Sequence, residues 1–271
     1  METVKTLKVQ KLVNGKFISS ESSVVIEKEL PLYINGEHLA TASVVPLMER
    51  EFVVGYLFGQ GFIDNAGEIR TLEITDKGAI VVLANNDILS SMKTKTNYRI
   101  VSGGGRTAYF ESTNQPRICS DLKINRKDIF RAMNMLFENA LLYLETGGVH
   151  SAALFDAEIN QLCIAEDIGR HNTLDKIIGY AVLNKIDCYK TFMVSTGRMA
   201  SEMVTKICRA NIPLVATKTA VTDEGVKIGE KHGLTVIGFV RDAGSRMYTD
   251  MAVRIFKKAE MKIYTGVERV L

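Results

Sequence analysis

The spacing of apolar and polar positions changes rhythm once along the chain. From 24 to 45 the run VVIEKELPLYINGEHLATASVV is rich in apolar and β-branched residues. Asn35-Gly36 lies between two such stretches and marks a hairpin, because both residues tolerate positive φ. Pro31 has no amide to donate and is expected at a sheet edge or a strand start. Residues 47–59 switch to helical spacing, with Phe52, Val53, Tyr56 and Leu57 on one stripe, ended by Gly59, Gly61 and Asp64-Asn65. Two more strands, 69–74 and 79–83, join through Asp76-Lys77-Gly78, and a polar connection leads to a short strand at 98–101.

After the polar segment 112–125, helical and extended patterns alternate. Asn125 caps a helix running to about residue 144, with Ile129, Met133, Leu136, Phe137, Ala140 and Leu144 along one face. A hairpin follows, 149–155 and 161–165. Then come a helix at 172–183, a strand at 191–195, a helix at 199–210, a strand at 213–217, a helix at 222–232 and a strand at 234–240. Such alternation requires right-handed crossovers and a largely parallel sheet covered on both faces. The expected fold is therefore α/β: a three-layer α/β/α domain with a mixed sheet at 126–249, preceded by a β-rich α+β part at 1–110 and a loop at 111–125. A tail, 250–271, has an amphipathic, basic look and either docks on a partner or caps the fold.

In open α/β sheets, ligands sit outside the carboxyl ends of the strands. Three segments meet that description: Glu166 to His171, Ser195 to Arg198, and Phe239 to Gly244. The first belongs to AEDIGRHNTLDKII, 165–178, which packs Glu166, Asp167, Arg170, His171, Asp175 and Lys176 around a strand-to-helix junction. Arg170 and Arg198 suit phosphate, and helix N-termini offer free amides, so an anionic, nucleotide-like or pterin-phosphate ligand is expected. A competing reading makes the glycines simple strand-to-helix turns and the charges a solvated helix start. A third pairs His171 with Asp167 or Glu166 as the acid and base of a nucleotide hydrolase. Ser102-Gly103-Gly104-Gly105-Arg106 offers amides to an anion, but no clear helix follows it.

Composition narrows the classes. The chain has 271 residues, 46% hydrophobic and 24% charged, with a formal net charge of +3, which describes a soluble globular protein without a general nucleic-acid surface. No apolar run reaches membrane-span length and METVKTLKVQKLVNG has no signal-peptide core, so a cytoplasmic protein with no membrane partner is expected. Four cysteines lie without C-x-x-C spacing, which argues against a zinc knuckle or a disulfide framework. Cys163 and Cys208 sit among apolar neighbours. Cys119, in QPRICSDLK beside Arg117 and Lys123, reads either as an ordinary loop cysteine or as a reactive thiol.

The strings LETGGVHSAALF, AEDIGRHNTLDKIIG, VSTGRMASEMVTK and GFVRDAGSRMYTD together resemble successive blocks of the FdhD/NarQ family, the formate dehydrogenase accessory proteins. KELPLYINGEHL and VVPLMEREFVVGYLFGQGFI resemble its opening blocks, so the likeness runs from about residue 27 to 249. The resemblance implies a cytoplasmic sulfur carrier that helps mature a molybdenum- or tungsten-dependent formate dehydrogenase. Family members take sulfur as a persulfide from a cysteine desulfurase and deliver it to molybdenum bis(molybdopterin guanine dinucleotide), of which GDP is a mimic. The implied fold is cytidine-deaminase-like with an added N-terminal β-rich part, typically as a homodimer. The family's cofactor-binding segment falls here on Phe239, Val240, Arg241, Asp242, Ala243 and Gly244, with His150, Arg170, His171 and Arg198 expected to line the same site.

One departure bears on chemistry. Where the family has C-G-x-C-G, whose first cysteine carries the persulfide, this chain reads SGGGRTAYF. Serine and glycine cannot form a persulfide, which leaves Cys119 as the candidate carrier. The alternative is a non-enzymatic chaperone that binds the molybdenum cofactor and has lost sulfur transfer. Zinc deaminase chemistry is not expected either, because His150-Ser151-Ala152 and Thr196-Gly197-Arg198 stand where H-x-E and the paired cysteines would be needed.

Overall fold

Two ten-residue strands that the spacing left unmarked begin the chain: β1 (Val4–Val13) and β2 (Lys16–Val25), antiparallel around Asn14-Gly15, both at positive φ. The computed structural model describes residues 2–85, 97–100, 106–109, 117–243, 246–249, 252–255 and 258–271. The ribbon's tip is exposed, Phe17 at 73% and Leu12 at 60%. Its base packs Val4 and Val25 on Val45, Leu142 and Val149.

The strands β3 (Lys28–Ile34) and β4 (Glu37–Val44) form the expected hairpin, with Asn35 and Gly36 at φ 49° and 85°. Helix α1 (Glu49–Gly59) follows, then β5 (Ile69–Thr75) and β6 (Gly78–Leu83), giving a four-stranded sheet of order β4-β3-β6-β5. Pro31 therefore lies on an inner strand, against the edge expectation. It is tolerated because the β3–β6 ladder begins only at Leu32, so no bond to β6 is lost at Pro31. β7 (Asn97–Ile100) and β8 (Arg106–Tyr109) make a separate two-stranded pair.

Helix α2 (Arg126–Asn139) starts at Asn125, whose Oδ1 accepts the Lys127 amide at 2.9 Å. The sequence pattern runs this helix on to residue 144. Instead the chain breaks at Ala140 and restarts as α3 (Leu141–Thr146), because the Glu166 carboxylate takes the Leu142 and Tyr143 amides, each at 2.9 Å. The domain continues with β9 (His150–Asp156), β10 (Gln161–Asp167), α4 (Arg170–Leu183), β11 (Thr191–Ser195), α5 (Ser201–Arg209), β12 (Leu214–Thr217), α6 (Asp223–His232) and β13 (Thr235–Arg241). After β14 (Arg246–Thr249) and β15 (Ala252–Ile255), β16 (Glu260–Thr265) pairs antiparallel with β13. The tail thus caps the fold, its strand β16 closing the edge of the sheet beside β13.

The sheet order is β10-β9-β11-β12-β13-β16, parallel only across β11, β12 and β13. Successive side chains point to opposite faces. Leu154, Met193, Val215 and Val236 meet α4, α5 and α6, while Phe155, Phe192, Leu214 and Ile237 meet α2. This is the mixed three-layer α/β/α arrangement expected from the alternating pattern.

The N-terminal part joins this domain through α1 and α4. A Cβ on Gly55 would lie 1.8 Å from the Asp175 carbonyl oxygen, and one on Gly179 1.8 Å from that of Glu51, so the two backbones meet where only glycine fits. Around this crossing the ion pairs Lys176–Asp167 (2.6 Å) and Lys206–Asp175 (2.6 Å) are buried. No helix among the described residues is long and apolar enough to cross a membrane.

Candidate functional site

The carboxyl ends of β11, β12 and β13 open on one edge of the sheet, together with the start of the antiparallel β9 and the end of β10. Hydroxyl groups shape the loops there. Ser195 Oγ accepts the Gly197 amide at 3.0 Å, Thr217 Oγ1 donates to the Gly197 carbonyl at 2.6 Å, and Thr196 Oγ1 accepts the Ser151 amide at 3.0 Å. Gly197 does not have positive φ. Its lack of a side chain matters because a Cβ would come within 2.8 Å of Arg170 Cβ. The Ser195–Arg198 turn and the start of α4 are thereby brought together.

His150, Arg170, His171 and Arg198 gather at this point. His150 Nδ1 is 3.3 Å from Thr196 Oγ1, and burial lowers its pKa, with Arg170 and Arg198 adding to the effect. Burial drives His171 down to about 3, reinforced by Lys206, Arg170 and His150. Arg170 is likewise lowered by burial and by Arg198, against a raising influence from Glu202. Both imidazoles are therefore neutral at neutral pH, while Arg198 stands exposed at the mouth. Opposite them, Glu202 Oε2 lies 3.5 Å from His171 Nε2. Two guanidinium groups beside two neutral rings form a wall suited to an anion.

The carboxylates of AEDIGRHNTLDKII serve elsewhere. Glu166 caps α3 and also accepts from Ser151 Oγ at 3.2 Å. Asp167 binds Lys176, the Val45 amide (3.1 Å), the Gly169 amide (3.2 Å) and Asn172 Nδ2 (2.9 Å). Asp175 binds Lys206. The carboxylate facing His171 is Glu202 and none of these, so the acid–base pair expected of a nucleotide hydrolase is not assembled.

Two strands further along the sheet, roughly 10 Å at the usual strand spacing, lies the end of β13. Phe239 has φ 54° at a bulge in the β13–β16 pairing, where its amide donates to the Thr219 carbonyl at 3.0 Å. The Arg241 guanidinium lies 5.0 Å and the Lys262 ammonium 4.8 Å from its ring centroid. Val240 is buried in the core. Asp242 accepts from Asn134 Nδ2 at 2.8 Å and, with Arg126, Arg131 and Phe130, lines a cleft of about 910 Å³ beside α2. Ala243 is exposed, and Gly244 lies outside the described residues.

Cys119 is exposed at the opposite end of the sheet. Its neighbours bond to residues that precede the parallel strands: Ile118 N to the His232 carbonyl (2.8 Å) and Ser120 Oγ to the Tyr189 carbonyl (2.6 Å). The five residues of β11 separate the two ends by roughly 16 Å. The segment 102–105 is also outside the described residues. Burial pushes the thiols of Cys163 and Cys208 up to about 12 and that of Cys188 to about 11, so none of these is a ready nucleophile.

Sequence reasoning missed Glu202, Lys218 and Lys262. Glu202 carried a signal, since it stands four residues after Arg198 at a helix start. Lys218, 4.2 Å from the Phe137 ring, has its pKa lowered by burial and by Arg241. Lys262 comes from the tail, which only the β13–β16 pairing brings here. Among the described residues no cluster of His, Cys, Asp and Glu has a metal-holding arrangement.

Fold and site define a three-layer α/β/α protein with a cation-lined site across the carboxyl ends of its parallel strands. Residues 25–271 match the FdhD/NarQ family, and the chain belongs to that family. It is 32% identical over 254 residues to the sulfur carrier protein FdhD of Wolinella succinogenes, covering 91% of this chain and 87% of that one. It is 30% identical over 243 residues to the protein of that name from Shouchella clausii, covering 87% and 91%. The crystal structure of a putative formate dehydrogenase accessory protein from Desulfotalea psychrophila shares the fold, with a TM-score of 0.76 at 22% identity over the whole of both chains.

Proposed function

We propose that this protein is a formate dehydrogenase accessory factor that binds the guanine-dinucleotide form of the molybdenum cofactor as its cargo. Relatives named sulfur carrier protein FdhD support the client. The observation that carries the binding role is the convergence of Arg170, Arg198, His150 and His171 on one strand-end site, with Lys218 one strand and Arg241 two strands away. Arg198 and Arg170 hold phosphate charge, the neutral histidines hydrogen-bond uncharged ring or ribose groups, and the Phe239 platform with Arg241 extends the surface along the edge. When bound, the cargo supplies the metal centre that formate dehydrogenase needs.

Within this reading, sulfuration by a cysteine desulfurase does not run through Cys119, because that thiol faces the other end of the sheet. The protein then acts as a binding chaperone, homodimeric and cytoplasmic by likeness to its family. Calorimetry with GDP tests the site. Arg198→Ala and Arg241→Ala each weaken binding about tenfold or more, in keeping with loss of a charge-assisted contact. Unchanged affinity in both would remove the site from consideration.

A further inference from the structure

Within the cationic wall stands one carboxylate, Glu202, in the first turn of α5. Its Oε2 is buried and accepts no hydrogen bond, and the His171 Nε2 that faces it at 3.5 Å is also buried without one. Buried polar atoms in native proteins are normally paired, so two orphans facing each other in an open site mark a missing partner. The partner is not supplied by ionisation, since burial and the nearby Lys206 and Arg170 keep the imidazole neutral. Nor is it a phosphate, which a carboxylate repels. A carboxylate oxygen left open in this way is satisfied by an N–H donor on an uncharged ring.

Resting on the cofactor-binding reading above, we propose that Glu202, positioned beside His171, reads the 2-amino-oxo-pyrimidine edge shared by guanine and pterin and sets the ring specificity of the site. The ring N–H and the exocyclic amine of that edge both donate, matching the two oxygens of one carboxylate. Adenine presents a ring-nitrogen lone pair in place of the N–H and a C–H in place of the 2-amine, so its one amine cannot supply the paired donors and the lone pair faces the carboxylate. Arg198, exposed at the mouth, takes the phosphate end. The carboxylate thus sorts ring from phosphate inside a site whose other charges attract anions indiscriminately.

Calorimetry on the full chain tests this with GDP, ADP, xanthosine diphosphate, pyrophosphate and 6-hydroxymethylpterin. The protein binds GDP more tightly than ADP. Glu202→Gln, which keeps the shape and removes the charge, lowers GDP affinity about ten- to a hundredfold, raises affinity for xanthosine diphosphate, and leaves pyrophosphate within about twofold. Glu202→Asp, a shorter acid, gives the same GDP loss with pyrophosphate again unchanged. If only the free pterin loses affinity, pterin is the ring that is read. Equal binding of GDP and ADP by the unaltered protein, or a Gln variant that changes all ligands alike or none, overturns the assignment. Failure of the unaltered protein to bind GDP and pyrophosphate at all would instead remove the cofactor-binding reading beneath it.

Discussion

Lys176 is fully buried, its ammonium 2.6 Å from Asp167 Oδ2 and within hydrogen-bond reach of the Val45 and Glu166 carbonyls at 3.2 and 3.1 Å. It ties the end of β4 to the end of β10 and the body of α4. Lys176→Met keeps the stem and deletes the charge. At 2.6 Å the pair attracts by about 6 kcal/mol for an effective dielectric of 20, and most of that is offset by the cost of removing both ions from water. The single variant loses the attraction but keeps the cost for Asp167, so it destabilises by about 3–5 kcal/mol. At about 2–4 °C per kcal/mol for a chain of this size, the melting temperature falls by roughly 6–20 °C. The double variant Asp167→Asn/Lys176→Met leaves no uncompensated ion, and the Asn oxygen still accepts the Val45 amide, so it recovers more than half of the loss. Thermal unfolding followed by circular dichroism measures this, with GDP affinity taken on the folded variants. A single variant within about 2 °C of the parent, or a double variant no better than the single, would refute a structural strut. Loss of GDP binding without loss of stability would place Lys176 in the ligand site.

Gly55→Ala places a methyl 1.8 Å from the Asp175 carbonyl oxygen. It forces α1 from α4 and costs about 1–3 kcal/mol or more in urea unfolding; a neutral result would show that the helices separate freely. His171 gives a pH signature: the unfolded ring titrates near 6.5 and the folded ring near 3, so the unfolded chain takes the proton first. Its contribution is complete above pH 6.5 and is lost as pH falls towards 3, with a ceiling of about 5 kcal/mol. His171→Gln therefore flattens the stability slope between about pH 6.5 and 4, and a variant that keeps the full slope would contradict the burial argument. Cys119→Ser leaves GDP affinity unchanged, and mass spectrometry of the parent after incubation with a cysteine desulfurase and cysteine shows no persulfide on Cys119. A persulfide whose loss in the variant abolishes dehydrogenase activation would reinstate that thiol as a carrier.

What local chemistry decides could be read from the sequence. Asn35-Gly36 fixes its hairpin through positive φ alone, and β11 spans 191–195, as its pattern around Phe192, Met193 and Val194 predicts. The break between α2 and α3 was hidden because its cause, Glu166, lies 24 residues beyond Leu142. The β1–β2 ribbon escaped although Asn14-Gly15 announces its turn, because Lys5, Lys8 and Lys11 on one strand and Ser19, Ser20, Ser22 and Ser23 on the other follow no two-residue period, the hairpin being exposed along most of its length with no buried face to impose one. The same division holds at the site. Arg170, His171 and Arg198 were visible as charges at strand ends, where topology alone predicts ligands. Glu202 faces His171 only after α4 and α5 have packed, and Lys262 reaches Phe239 only through β16.

The separation of binding and thiol chemistry follows from how each end of the sheet is built. The binding wall rests on strand ends fixed by backbone ladders, by the Ser195 and Thr217 hydroxyls and by the α1–α4 crossing with its two buried ion pairs. None of these supports involves Cys119. Ser102 to Gly105 supply no thiol. Cys119 does not take over by proximity, because Ile118 and Ser120 hold it at the amino ends of β13 and β11. Bringing its sulfur to Arg198 would require those two bonds to break and the segment to pass the length of a strand. On the proposed reading the strand-end wall binds its ligand independently of Cys119, and GDP binding with no persulfide on Cys119 is the combination that follows.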